Sequence, residues 1–204
     1  MATILELAEL AYRVYGDAPT STSSAWNSDW SALMSNWKQL PIPFTFSGGY
    51  YGVAYINTTT QEIVIANRGT VASTASLIND AELAAREITP DEKSAIAFAN
   101  QIVSYMNTHP ALAGYSLIET GHSLGGSEAQ AATAALVDGT PSVAVSAVTF
   151  QSPGITSQLF NKLPSSYNVL NLYDQGDIIH DVGGTHLGTM ASLSGANERQ
   201  KEDR

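Results

Sequence analysis

From Ser116 to Tyr173 the chain alternates short β-rich runs with helical ones, and this alternation most limits what it can fold into. The pattern predicts a strand over 116–120, a helix over 124–137 ended by Gly139, and a strand over 143–150. A short helix over 156–162 and a strand over 168–173 follow. Consecutive strands joined through helices run parallel, because a tight hairpin can only reverse the chain. The expectation is an α/β chain, its mainly parallel central sheet covered by helices on both faces.

The first half carries different signals. Thr3 and Glu6 have capping-box spacing, and Leu5, Ala8, Tyr12 and Tyr15 recur at helical intervals, predicting a helix over 4–15 before Gly16 and Pro19. Trp26, Trp30, Leu33, Trp37 and Leu40 share that spacing, which predicts one helical face holding all three tryptophans. Such a face is either core packing or an amphipathic surface for acyl chains. Runs at 50–56 and 62–66, separated by Asn57-Thr58-Thr59-Thr60-Gln61, predict an antiparallel pair. Leu77, Ile78, Ala81, Ala84, Ala85 and Ile88 mark an amphipathic, acidic helix. Thr89-Pro90-Asp91-Glu92 combines an N-cap, a proline at the first helical position and a reciprocal glutamate, so a helix should run from Pro90 to about Asn107. His109-Pro110 stops it.

Composition narrows the function classes. A chain of 204 residues suits one globular domain over 1–204, with a frayed tail over 195–204. The formal charge of −10, with nine scattered Lys and Arg, argues against nucleic acid as a partner. Zero cysteines exclude a disulfide scaffold, cysteine-ligated zinc and a cysteine nucleophile. Glu6 and Glu9 interrupt the N-terminal apolar stretch, and no run reaches the roughly 20 apolar residues of a membrane span. The expectation is a cytoplasmic protein or one exported by a leaderless route. Nothing in the sequence sets an oligomeric state.

Gly121-His122-Ser123-Leu124-Gly125 stands where the predicted strand over 116–120 meets the predicted helix over 124–137. Glycines on both sides permit the sharp turn that would lift the Ser123 hydroxyl above the sheet edge, with the free N–H of Leu124 at the same place. A serine needs an adjacent base, itself oriented by a third group. His122 should point away from its neighbour on the turn, and His109 reads as a helix stop. His180 and His186 follow the last predicted strand, in the chain order serine, acid, histidine. The glycines around His186 favour it for a loop returning to the site, whereas His180 in Asp177-Ile178-Ile179-His180 reads as structural. Asp174, Asp177 and Asp181 compete as the acid. These carboxylates and His180 lack calcium-loop spacing, so no metal is expected.

Four blocks, in order, resemble the class 3 lipase family of α/β-hydrolases. They are Ile63-Val64-Ile65-Ala66-Asn67-Arg68-Gly69-Thr70, Thr120-Gly121-His122-Ser123-Leu124-Gly125-Gly126, Thr149-Phe150-Gln151-Ser152-Pro153-Gly154, and Asp177-Ile178-Ile179 ahead of His186. The resemblance spans about 49–187. It implies Thr70 as an oxyanion-hole donor beside Leu124, and it favours Asp177 over Asp174. It also implies a catalytic triad of Ser123, Asp177 and His186 that cleaves carboxylic esters of lipids without metal or organic cofactor, at a transient lipid interface. Residues 71–89 stand where family members often carry a lid. Fungal members place the histidine tens of residues beyond the aspartate, while here nine positions separate Asp177 from His186. The chain thus resembles a compact variant or a piece of a longer protein. A short-chain carboxylesterase, an acyltransferase of the same fold and a non-catalytic lipid-binding module are the alternatives.

Overall fold

The computed structural model describes residues 1–15, 35–42, 49–69, 82–83, 86–139, 141–176, 179–182 and 184–193. Helix α1, Ile4–Arg13, begins at the capping box read from the sequence: Glu6 N–H donates to Thr3 Oγ1, and Thr3 N–H donates to Glu6 Oε2. Its inner face buries Leu7, Leu10 and Ala11. Seven strands follow in sheet order β1 to β7: Trp37–Gln39, Gly52–Asn57, Glu62–Asn67, Ser116–His122, Val145–Phe150, Val169–Tyr173 and Thr189–Ser192. Strands β1 to β3 are antiparallel neighbours, and β3 to β7 pair in parallel. The β2–β3 turn closes on Asn57, whose Oδ1 accepts the N–H groups of Thr59 and Thr60.

Helix α2, Pro90–Thr108, carries the crossover from β3 to β4, and helix α3, Leu124–Asp138, the one from β4 to β5. Both pack on one face of the sheet, around Ile63, Ile65, Phe98, Ile102 and Leu117. Helix α1 covers the other face, against Val64, Ala66, Ile118 and Phe150. The α/β arrangement with helices on both faces is therefore present. Strand β3 is buried at all six positions, the signature of a strand covered on both sides. Helix α3 carries five Ala and two Gly among its 15 residues and buries most of its length, because it is wedged between the sheet and α2. Each large side chain in these layers contributes about 1.5–3 kcal/mol by leaving water.

Several boundaries differ from the sequence reading. Trp37 is not on a helix: it opens β1 opposite Asn57, and its indole N–H donates to Glu6 Oε1 at 2.9 Å. Edge pairing and that bond override the helical spacing. Trp26 and Trp30 lie outside the described residues, as do most of the predicted 77–88 helix, most of the candidate lid over 71–89, and the 195–204 tail. The predicted helix over 156–162 is a single 3-10 turn, Ser157–Leu159. Strand β7 was not anticipated; it is short, exposed at three of its four positions, and carries no strong apolar alternation. Among the described residues, no helix is long and apolar enough to cross a membrane.

Candidate active site

The C-terminal ends of β3, β4, β5 and β6 lie side by side, because the ladder pairs Asn67 with Gly121, His122 with Phe150, and Phe150 with Leu172. Ser123 is the first residue past β4 and the N-cap of α3, with φ 57° and ψ −131°. A residue bearing a Cβ rarely adopts this conformation, which costs on the order of 1–3 kcal/mol. Two backbone bonds hold it: Ser123 N–H donates to Phe150 O at 3.0 Å, and Gly126 N–H donates to Ser123 O at 2.8 Å. The flanking glycines are required by close approach as much as by the turn. A Cβ on Gly121 would run into the backbone of Gly125, and one on Gly125 into the carbonyl of Asn67.

The Ser123 side chain is buried, and its Oγ has no hydrogen-bond partner among the described residues. Leu124 is the first residue of α3, so its N–H has no acceptor within the helix and faces the helix N-terminus. Thr70 and Asp177, named from the sequence for the oxyanion hole and the acid, lie outside the described residues. Gly69, immediately before Thr70, packs against the elbow: a Cβ there would be 2.5 Å from His122 O and 3.2 Å from Gly125 N.

His186 is tied down on both sides. Thr185 and Ile155 exchange backbone bonds of 2.8 and 3.0 Å, while Leu187 N–H donates to Gln130 Oε1 and Leu187 O accepts from Asn171 Nδ2. Two of the glycines read as suiting a returning loop, Gly184 and Gly188, are also required by close packing. A Cβ on Gly184 would strike Ile155 O, and Gly188 has φ 71° against the backbone of Val169. Gln130 stands seven residues into α3 from Ser123, about 10 Å along the helix axis. The His186 Nε2 contacts the carbonyl of His180 at 2.9 Å, which fixes the proton there and leaves Nδ1 as the basic nitrogen. Among the described residues that Nδ1, which is buried, has no partner. Burial holds the His186 pKa below the usual histidine value, only partly offset by the His180 carbonyl, so the ring is neutral near pH 7. The structure does not join His186 to Ser123 by a hydrogen bond.

His180 lies at the upper edge of the sheet. Its ring stacks on Tyr173, the last residue of β6, at 4.2 Å, and its Nε2 is 3.1 Å from Asp181 Oδ1. Its Nδ1 is also buried, with no partner among the described residues. Asp174 accepts from Gln151 Nε2 at 3.0 Å, joining the ends of β5 and β6. His109 caps α2 and stacks on Tyr105, in keeping with its reading as a helix stop. Among the described residues, no group of three or more His, Asp or Glu could hold a metal ion.

Sequence reasoning missed the buried carboxyls behind this edge. Glu119 in β4 is fully buried, and Asn67 Nδ2 donates to its Oε2 at 2.8 Å, while Asn67 Oδ1 accepts from Tyr50. Burial, partly offset by Asn67, pushes Glu119 up to about 8. Glu128 in α3 is raised well above the carboxylate range, first by burial and then by repulsion from Asp91 and Glu92, with Arg68 opposing. The one available signal was an acid inside the apolar run Leu117-Ile118-Glu119.

A family model described as Lipase (class 3) matches residues 64–186, more than half of the chain. Several solved structures share the fold. The lipase of Rhizopus microsporus var. chinensis superposes with a TM-score of 0.65 at 19% identity, over 93% of this chain and 72% of that one. Lipase II from Rhizopus niveus gives 0.64 at 18%, over 94% and 79%. The Rhizomucor miehei triacylglyceride lipase gives 0.64 at 15%, over 95% and 80%. No curated protein sequence matches the chain.

Proposed function

We propose that this chain, which belongs to the class 3 lipase family of carboxylic ester hydrolases, cleaves the acyl esters of acylglycerols or phospholipids through an acyl-serine at Ser123. The observation that carries the reading is the strained Ser123, presented at φ 57° between a parallel strand and a helix N-terminus, its Oγ without a partner among the described residues. The hydroxyl attacks the ester carbonyl, and the Leu124 and Thr70 N–H groups receive the oxyanion. His186 is the proposed base: neutral near pH 7, it takes the serine proton and returns it to the leaving alcohol. Asp177 is the proposed carboxylate that stabilises the imidazolium. Water then attacks the acyl-enzyme, and the second collapse frees the acid.

One observation favours His180 as a second reading for the base. It stacks over Tyr173, at the sheet edge where Ser123 stands, while the segment holding His186 is anchored lower on α3. Hydrolysis of p-nitrophenyl esters from acetate to palmitate, compared for wild type, Ser123→Ala, His186→Ala and His180→Ala, decides both points. Loss of at least about three orders of magnitude in Ser123→Ala and His186→Ala supports the reading. Loss in His180→Ala but not in His186→Ala moves the base to His180. Wild type no faster than Ser123→Ala ends the ester reading and leaves a binding module.

A further inference from the structure

The two proposed oxyanion donors belong to different segments, Thr70 after β3 and Leu124 after β4. Nothing covalent sets their separation. The β3–β4 ladder does not reach either donor: its last pair is Asn67 with Gly121, three residues before Thr70 and Leu124 in their segments. Past that pair, Arg68-Gly69 and His122-Ser123 run on without ladder bonds between them. There Gly69 packs directly on His122 O and Gly125 N, and a side chain from a third element, Tyr15 in the turn that leaves α1, ties the two segments together.

The Tyr15 hydroxyl donates to His122 O at 3.3 Å and lies 3.4 Å from His122 Nδ1. Its oxygen also packs on Gly69, where a Cβ would lie 2.6 Å from it. The ring stands edge-on to His122, with centroids 6.3 Å apart. The phenol therefore packs on the residue before Thr70 and hydrogen-bonds the residue before Ser123. Burial pushes its pKa up to about 12, so it remains a neutral donor and acceptor throughout the working range.

We propose that Tyr15 is a positioning residue for the oxyanion hole, its hydroxyl setting the separation between the end of β3 and the nucleophile elbow. The proposal rests on the ester-hydrolysis reading for its catalytic consequence, not for its geometry. An oxyanion donor acts only where the developing charge will be, so a small drift of β3 away from the elbow weakens the transition state and leaves ground-state binding intact. The acyl group does not have to touch Tyr15 for this to hold.

Tyr15→Phe keeps the ring and removes the hydroxyl. The test combines p-nitrophenyl butyrate kinetics with amide hydrogen exchange at Gly69, on wild type and variant of matched melting behaviour. The expected result is a fall in kcat of about 10–100-fold with KM within about twofold, together with at least about tenfold faster exchange at Gly69. Unchanged exchange at Gly69 overturns the proposal, and so does faster exchange with kcat unchanged. If wild type hydrolyses no faster than Ser123→Ala, the ester reading fails; exchange at Gly69 still decides whether Tyr15 holds β3 to the elbow.

Discussion

The Nε2 of His186 meets the carbonyl oxygen of His180 at 2.9 Å, so the imidazole carries its proton on that side and offers Nδ1 as its lone pair. Because burial lowers the pKa of this ring, it becomes a competent base below the ordinary histidine value. The kcat/KM of wild type should rise with pH through an apparent pKa below 6.5, the reference value for His186. In His186→Ala that limb should be gone. A limb that survives the substitution assigns the titration to another group.

The same shift has a stability consequence. The folded state binds fewer protons at His186 than the unfolded chain does, so its contribution is present above the unfolded pKa and is lost as pH falls through the folded one. The raised carboxyls act in the opposite sense, so the effect is read as a difference: in chemical denaturation, His186→Phe should gain on wild type as pH falls from 7 to 5.

Ser123 holds a conformation that favours glycine. Ser123→Gly should remove the hydroxyl and the strain together, stabilising the fold by about 1 kcal/mol while abolishing hydrolysis. Ser123→Ala retains the Cβ and should abolish hydrolysis without that gain. Equal melting temperatures for the two variants would mean that the elbow stores no strain.

Glu119 titrates in the opposite sense. Its folded pKa of about 8 stands above the reference value of 4.5, so the unfolded chain ionises first and stability falls as pH rises between them. Glu119→Gln keeps an acceptor for Asn67 Nδ2 and removes that penalty. The variant should gain on wild type progressively from pH 5 to 8 in denaturant titrations. A gap independent of pH would show that the carboxyl is ionised in the folded state. Glu128 is raised in the same direction, so the Glu119→Gln variant should itself retain part of the slope.

Gly125 touches the carbonyl of Asn67 with no room for a side chain. Gly125→Ala should push β3 from the elbow, costing about 1–3 kcal/mol and most of the activity. Gly139→Ala, at φ −76° with Ala135 O 3.2 Å away, should be tolerated far better in the same thermal and kinetic assays. Equal effects would place the sensitivity in glycine as such and not in the β3–elbow contact.

Much of the fold was legible because it is local. Capping residues Thr3 and Thr89 announced α1 and α2, and His109 marked the end of α2, since a cap involves residues three or four apart. The strand–Ser123–helix join and the parallel sheet followed from periodicity and alternation. Trp37 was misplaced because its spacing fits a helix while its partners, Asn57 and Glu6, are remote in sequence. Strand β7 was missed because an exposed edge strand has little apolar pattern to betray it.

For this protein, then, the sequence by itself determined the α/β class, the family blocks and the serine at the strand–helix join, all carried by short-range patterns. Only the tertiary structure decided what stands around that serine. It anchored the segment of His186 to Ile155, Gln130 and Asn171, brought His180 onto Tyr173, and set Tyr15 between Gly69 and His122. The physical reason is that these contacts join residues far apart along the chain, where register and packing, not local propensity, choose the neighbour.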